Sequence, residues 1–196
     1  MPQMKAKIKT VAVDLFFLKG YFATSISAIA RGSGIQKASL YYHYASKEDL
    51  LFHILETIMD DLTGFLQQNL SAFSDVEGRM RAAVRGHVQF HLQRQKETFI
   101  ANAELRGLNP EHYRAIVKKR DAYEAIFQEL IRAGRSQKVF SEGDTKILSY
   151  AILTLCTAGA AWYNPKGRLS VDEIAAIYEN FIIGGLKHGR IQHGNA

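Results

Sequence analysis

The sequence predicts an all-α fold of about nine helices, and three observations lead to this prediction. Apolar residues recur at spacings of three and four along most of the chain, as they do on one face of a helix. The three prolines, at positions 2, 110 and 165, leave long stretches uninterrupted. The alternating pattern of a half-buried strand does not occur over any useful length.

Three short helices are predicted at the N-terminal end. The apolar face of the first, in residues 5–19, consists of Ile8, Val11, Ala12, Leu15 and Phe16. Gly20 is expected to end this helix, and Thr24 or Ser25 can cap the second one. The second helix is expected to end at the glycines of residues 32–34, and the third covers residues 37–44.

Longer helices are predicted for the rest of the chain. Ser46 and Asp49 have the spacing of a capping box, and the apolar pattern that follows them reaches Leu70. Ser74 is expected to cap the next helix, and Gly134 is expected to stop a later one. The remaining predicted helices cover residues 75–94, 98–106, 109–133, 144–163 and 171–187.

Positive charge is concentrated in the first 47 residues of a chain whose formal net charge is +6. The basic residues there are Lys5, Lys7, Lys9, Lys19, Arg31, Lys37 and Lys47, against the single acidic residue Asp14. This distribution suits a polyanion such as DNA, although a solvated basic surface has the same composition. The single cysteine, the lack of a signal-peptide pattern and the lack of a long apolar run predict a soluble, cytoplasmic protein.

The three short helices, with a glycine-marked turn between the second and the third, predict a helix-turn-helix. In that motif the third helix lies in the major groove of DNA. Its hydrogen-bonding residues here are Gln36, Lys37, Ser39, Tyr41, Tyr42 and His43. An ordinary short surface helix is the alternative that this argument alone leaves open.

The order of residues in this region is similar to that of a known family. The runs FFLKGYFATSISAIA (residues 16–30), GIQKASLYYHY (34–44) and SKEDL (46–50) resemble the DNA-binding domain of the tetracycline-repressor (TetR) family. The resemblance implies a homodimeric repressor that binds a double-stranded DNA operator. It also implies a DNA-binding domain in residues 1–48, with the motif at about 25–44, and a ligand-binding and dimerisation domain in residues 49–196.

Position by position, the resemblance implies the DNA contacts. Thr24 and Ser25 would cap the second helix and touch phosphate, and Lys47 would neutralise a phosphate. Lys37, Ser39, Tyr41, Tyr42 and His43 would face the DNA. We expect base contacts from positions 36–39, among them Gln36 and Ala38, and backbone contacts from Tyr41, Tyr42, His43 and Lys47. Gln36 and Ala38 depart from the family pattern, which often has a small capping residue and a glycine there.

The last two predicted helices have wide apolar faces. The first contains Ile147, Leu148, Ala151, Ile152, Leu155 and residues 158–161, and the second contains Ile174, Ile177, Tyr178, Phe181, Ile182 and residues 184–185. Such faces form either an internal core or a four-helix interface between two copies. The resemblance places the homodimer interface on these helices.

An inducer site is expected in the C-terminal part. Arg120 interrupts an apolar stripe and needs a partner, either a carboxylate such as Glu104 or an anionic ligand. Residues 104–106, 119–123, 162–165 and 170–174 resemble the branch of the family that controls fatty-acid or steroid catabolism and typically senses an acyl-CoA thioester. The ligand-binding residues that this implies are Arg106, Arg120, Tyr123, Trp162, Tyr163 and Arg168. No cofactor is implied.

Two other kinds of function are weighed against this interpretation. One is a multidrug sensor of the same fold that represses an efflux pump; the other is a helical enzyme or metal-binding protein. His87 and His91 have a spacing that binds metals, but no third ligand is evident, so packing or pocket-lining roles are preferred. No catalytic motif is found.

Overall fold

The computed structural model describes residues 2–188, and within this range it contains nine α-helices, one 3-10 turn and no strand. The helices are α1 (Pro2–Lys19), α2 (Ile26–Ser33), α3 (Lys37–His43), α4 (Lys47–Leu70), α5 (Val76–Gln93), α6 (Gln95–Ala103), α7 (Pro110–Ser136), α8 (Thr145–Trp162) and α9 (Val171–His188), with the 3-10 turn η1 (Leu105–Gly107) before α7. The all-α prediction is confirmed.

The chain forms two compact units. The first contains the residues up to Asp60 together with Arg94–Lys119, and the second contains Asp61–Gln93 and the residues from Arg120 onward. Helices α4 and α7 therefore contribute residues to both units. The division into functional domains at residues 1–48 and 49–196 stays a prediction.

In the first unit, glycines end the first two helices in the left-handed conformation. Gly20 has φ +79° and its N–H donates to the Phe16 carbonyl at 2.8 Å, which ends α1. Gly34 has φ +71° and ends α2 in the same way. Both helix ends agree with the sequence prediction, because a residue with a Cβ is disfavoured at such a φ.

The capping box before α4 has the predicted residues and a modified geometry. The Ser46 hydroxyl accepts a hydrogen bond from the Asp49 N–H at 2.9 Å, as expected. The Asp49 carboxylate accepts from the N–H of Ala45 at 2.9 Å, one residue before the position of the usual return bond.

Several helix boundaries differ from the prediction, and α1 begins at Pro2 instead of residue 5. Asp75, not Ser74, caps α5, because its carboxylate accepts from the Gly78 N–H at 2.7 Å. Helix α6 begins at Gln95, three residues before the predicted start. Gly134 does not stop α7, which continues to Ser136; it lies where the ring of Phe140 packs and leaves no room for a Cβ.

The second unit is built around α5, which packs against α8 and α9. The Glu179 carboxylate accepts from Arg81 at 2.9 Å and from Arg85 at 2.8 Å, which ties α9 to α5. In the part of the chain that the structure describes, we find no helix whose length and apolar character would let it cross a membrane.

Candidate nucleic-acid interface

Helix α3 packs against the rest of the first unit through one side only. Leu40 is fully buried and Tyr44, directly after the helix, is nearly so. The turn between α2 and α3 is closed by a hydrogen bond from the Ile35 N–H to the Ala30 carbonyl at 3.0 Å. These anchors leave the opposite side of α3 facing solvent.

That exposed side presents seven of the ten residues predicted to contact DNA, those at positions 36–39 and 41–43. Tyr42 is 73% exposed, and Tyr41 is also exposed. The other exposed residues on this face are Gln36, Lys37, Ala38 and Ser39, and His43 is half-buried. Gln36 is the N-cap residue of α3, but its exposed side chain makes no capping hydrogen bond. The face therefore combines amide, ammonium, hydroxyl and imidazole groups.

Of the two residues considered for the cap of α2, the structure selects Ser25. Its hydroxyl accepts a hydrogen bond from the Ala28 N–H at 3.1 Å, and the residue is exposed. Thr24 is only 2% exposed, and its hydroxyl donates to the carbonyls of Gly20 at 2.8 Å and Leu15 at 3.2 Å. The predicted capping role of Thr24 is wrong, because its side chain points into the fold.

Lys47 is engaged within the protein. Its ammonium donates to the carbonyls of Tyr21 and Thr24, both at 2.9 Å, and lies 4.2 Å from the centroid of the Tyr21 ring. Burial lowers the pKa of Lys47, while the negative charge of Glu104 opposes this shift. In this conformation Lys47 supports the turn between α1 and α2.

Glu104 was considered from the sequence only as a partner for Arg120. It is 5% exposed, and its Oε1 accepts a hydrogen bond from the Tyr21 N–H at 3.1 Å. Because 83 residues separate the two partners, no local pattern in the sequence could have indicated this contact. The pairing of Arg120 with Glu104 or with an anionic ligand stays a prediction.

The predicted ligand-binding residues lie in different surroundings. Arg106 belongs to the first unit and lies 5.6 Å from the Phe22 ring, and the other five belong to the second unit. Of those five, Tyr123 is buried, Arg120 and Tyr163 are half-buried, and Trp162 and Arg168 are exposed. Trp162 stacks on Tyr178 with ring centroids 6.5 Å apart. The assignment of these six residues to a ligand site stays a prediction.

Tyr123 is part of a buried polar cluster in the second unit. Its hydroxyl lies 2.9 Å from Nδ1 of His87, whose Nε2 lies 3.0 Å from the Thr157 hydroxyl. His91 stacks on His87 at 4.1 Å, and its Nδ1 donates to the His87 carbonyl at 2.9 Å. Burial holds the pKa of His87 well below its ordinary value and lowers that of His91 to about 4. Both rings are neutral at pH 7 and pack between helices.

Among the described residues, no group of three or more histidine, cysteine, aspartate or glutamate side chains is arranged to hold a metal ion. Of the two histidines that raised this alternative, His87 has hydroxyl partners at both ring nitrogens, and Nδ1 of His91 donates to a main-chain carbonyl.

The chain has an N-terminal helix-turn-helix whose third helix exposes a polar face, and a helical body follows it. This arrangement is typical of DNA-binding transcriptional regulators. Comparison with known families makes the assignment specific. Residues 8–54 match the model described as "Bacterial regulatory proteins, tetR family", and residues 74–186 match "Tetracyclin repressor-like, C-terminal domain". The chain belongs to the TetR family, and it is a transcriptional regulator, not an enzyme.

Similar proteins agree with this assignment. The transcriptional repressor KstR2 of Rhodococcus jostii is 24% identical over 184 residues, which cover 93% of this chain and 90% of the relative. The TetR-family regulator PfmR of Thermus thermophilus is 28% identical, with a TM-score of 0.84 over 91% of this chain and 98% of that one. AibR, crystallised with isovaleryl coenzyme A and operator DNA, is 25% identical with a TM-score of 0.84 over 91% and 97% of the chains.

Proposed function

We propose that this regulator is a homodimeric repressor that binds a palindromic operator and is released from it by a small-molecule inducer. The observation that carries the proposal is the exposed polar face of α3, held in place by buried Leu40 and Tyr44. A dimer would place one α3 in each of two successive major grooves, roughly one helical turn (~34 Å) apart or somewhat more. Since its partner is DNA, the protein acts in the cytoplasm.

Each exposed residue of the motif has a proposed role that follows from its chemistry. Lys37 donates to guanine O6 and N7, and Gln36 pairs with adenine N6 and N7. Ala38 and Ser39 lie beside them and contact base edges, the former through its methyl group. Tyr41, Tyr42 and His43 bond phosphate oxygens and orient the helix.

For two of the residues that the resemblance assigned to DNA contact, Thr24 and Lys47, we propose a structural role instead. Thr24 is buried and Lys47 donates to main-chain carbonyls, so both stabilise the motif from inside. Ser25 remains at the surface, at the N-terminus of α2, and contacts a phosphate there. Backbone N–H groups at a helix start favour such an anion.

The proposed dimer interface lies on α8 and α9. Both helices have large apolar side chains that the single chain leaves exposed, and five of them are Ile147, Tyr150, Leu155, Ile177 and Phe181. Phe181, at 70%, is the most exposed of the five. An apolar surface of this kind is typical of an interface, and the small residues Gly184 and Gly185 let a partner helix approach closely.

The proposed inducer is an acyl-CoA thioester bound in the second unit. Support comes from AibR, which was crystallised with such a ligand, and from the half-buried Arg120. A guanidinium suits the phosphates of coenzyme A, and the buried cluster around Tyr123 supplies hydroxyl groups beside apolar surface. Trp162, Tyr163 and Arg168 remain proposed contacts of the coenzyme A moiety in this unit, and the ligand contact of Arg106, which belongs to the first unit, stays a prediction from the resemblance.

The test begins with DNA selected from a random pool by the wild-type protein. Footprinting of the selected DNA is expected to show two half-sites related by a two-fold axis, and fluorescence anisotropy then measures release by a panel of acyl-CoAs. Release by one thioester supports the inducer class. Release by aromatic cations instead would favour the multidrug sensor, and failure to select any DNA would contradict the proposed function.

A further inference from the structure

A buried glutamate, Glu104, contacts the turn that follows α1. Glu104 lies at the corner between α6 and η1, and its buried Oε1 accepts from the Tyr21 N–H at 3.1 Å. Its Oε2 is also buried and has no hydrogen-bond partner within the range of residues 2–188. A half-satisfied buried carboxylate is costly, so the contacts that keep it in place must outweigh a desolvation penalty.

Lys47 supplies the compensating charge. Its ammonium donates two of its three N–H bonds, to the carbonyls of Tyr21 and Thr24. The charge of the Glu104 carboxylate acts on this ammonium, against the effect of its burial. Tyr21 is thus held at its N–H by Glu104 and at its carbonyl by Lys47, and Lys47 opens the helix that follows α3.

Packing around the Tyr21 ring also connects the corner between α6 and η1 to the helix-turn-helix. A Cβ on Gly107, in η1, would lie 2.7 Å from the Tyr21 ring and 2.9 Å from the Leu51 side chain. The main chain of η1 therefore lies directly against the ring. Phe16, on α1, packs on the ring edge-on at 5.2 Å. The corner has little freedom to move without moving Tyr21.

We propose that Glu104 is a positioning residue for DNA recognition, which couples the α6–η1 corner to α2 and α3 through Tyr21 and Lys47. This inference rests on the proposed function, because it takes α3 as the DNA-reading helix. Coupling of this kind is reciprocal: if the corner sets the position of the motif, then DNA bound at the motif restrains the corner.

Hydrogen–deuterium exchange on the full-length protein tests the coupling without a known inducer. In the wild type, bound DNA selected from the random pool is expected to slow amide exchange in residues 95–108 as well as in residues 34–47. In Glu104→Ala, the protection of residues 95–108 by DNA is expected to be lost, and the amides of residues 20–26 are expected to exchange roughly tenfold faster in the free protein.

Two further variants separate the coupling from a general loss of stability. Glu104→Gln keeps an acceptor for the Tyr21 N–H and is expected to retain most of the protection. Glu111→Ala removes the same charge from an exposed position in the first turn of α7 and is expected to behave as the wild type. Operator affinity is expected to fall roughly tenfold in Glu104→Ala and to be unchanged in Glu111→Ala.

The contradicting outcomes are distinct. A wild type that shows no DNA-dependent protection in residues 95–108, although it binds DNA, would overturn the coupling even if Glu104→Ala fails to fold. Equal protection in wild type and Glu104→Ala, or equal loss in the Gln and Ala variants, would overturn the role of the Tyr21 hydrogen bond. A wild type that binds no DNA would overturn the proposed function, and the coupling with it.

Discussion

His87 and Tyr123 share a hydrogen bond in the interior of the second unit, with Nδ1 of the imidazole 2.9 Å from the phenol oxygen. Thr157 holds the other ring nitrogen at 3.0 Å, so one neutral imidazole joins α5, α7 and α8. Because each ring nitrogen has a hydroxyl partner, the ring can remain buried without charge. Protonation would remove an acceptor and place a charge in an apolar interior.

The stability of the protein is therefore expected to fall in mild acid. Burial places the folded-state pKa of both His87 and His91 below 6.5, that of His91 at about 4, whereas the unfolded chain takes up these protons near pH 6.5. Above pH 6.5 both histidines are neutral in the folded and the unfolded state, and their contribution to the free energy of unfolding is fully present. Below it the unfolded state binds more protons, and the free energy of unfolding drops by up to about 1.4 kcal/mol per pH unit for each histidine.

Urea denaturation at several pH values between 7.5 and 4.5 measures this dependence. His87→Gln is expected to be less stable at pH 7.5 and to show a shallower dependence on pH. His188→Gln removes a histidine from an exposed position at the end of α9 and is expected to keep the wild-type slope. A slope that is the same in all three proteins would contradict the neutral, buried state of His87.

Substitutions at neighbouring positions 24 and 25 are expected to act differently. Ser25→Ala removes the α2 cap and is expected to cost about 1 kcal/mol of stability. Thr24→Val removes a buried hydroxyl that donates to the Gly20 and Leu15 carbonyls and is expected to cost roughly 1–3 kcal/mol. Thermal and urea denaturation compare the two. A smaller loss for Thr24→Val than for a conservative Thr24→Ser would show that the hydroxyl does not stabilise the turn.

Substitution by alanine is expected to have opposite effects on stability at two helical glycines, Gly134 and Gly64. Gly134→Ala would push a methyl group into the Phe140 ring and is expected to destabilise the protein by about 1–3 kcal/mol. Gly64→Ala, in α4, meets nothing within 4 Å and is expected to stabilise it by roughly 0.5–1 kcal/mol. Equilibrium denaturation decides. Equal effects of the two substitutions would mean that Phe140 does not pack on Gly134.

The proposed homodimer depends on the apolar faces of α8 and α9. Phe181→Glu places a charge on the most exposed part of this surface and is expected to convert the dimer to a folded monomer in sedimentation or light-scattering measurements. Leu18→Glu alters an equally exposed apolar residue on α1 and is expected to leave the dimer intact. A dimer that survives Phe181→Glu, or one that Leu18→Glu breaks instead, would move the interface elsewhere.

Local patterns predicted most of the fold and the exposed face of α3. The Ser46–Asp49 spacing, the left-handed glycines at 20 and 34 and the apolar periodicity all depend on residues a few positions apart. The structure agrees with the sequence at these places, because a helix and its caps are formed by near neighbours along the chain.

Contacts between distant residues could not be predicted in this way. Glu104 and Tyr21, or Lys47 and Tyr21, meet only after the helices have packed. Gly134 has the sequence appearance of a helix stop, yet the ring of Phe140 requires a glycine there inside α7. The resemblance implies a phosphate contact for Lys47, which stays a prediction, and only the fold shows that its ammonium donates to the main-chain carbonyls of Tyr21 and Thr24.

The central claim is that α3 reads DNA, and a salt-dependent anisotropy titration tests it most directly. The DNA selected by the wild-type protein is titrated with wild type, Lys37→Ala, Tyr42→Ala and the control Lys166→Ala, an exposed lysine between α8 and α9. Lys37→Ala is expected to weaken binding about 10- to 100-fold, and Tyr42→Ala to weaken it at all sequences alike. The logarithmic salt dependence is expected to be steep for the wild type and for Lys166→Ala. Wild-type affinity and salt dependence in both α3 variants would contradict the claim.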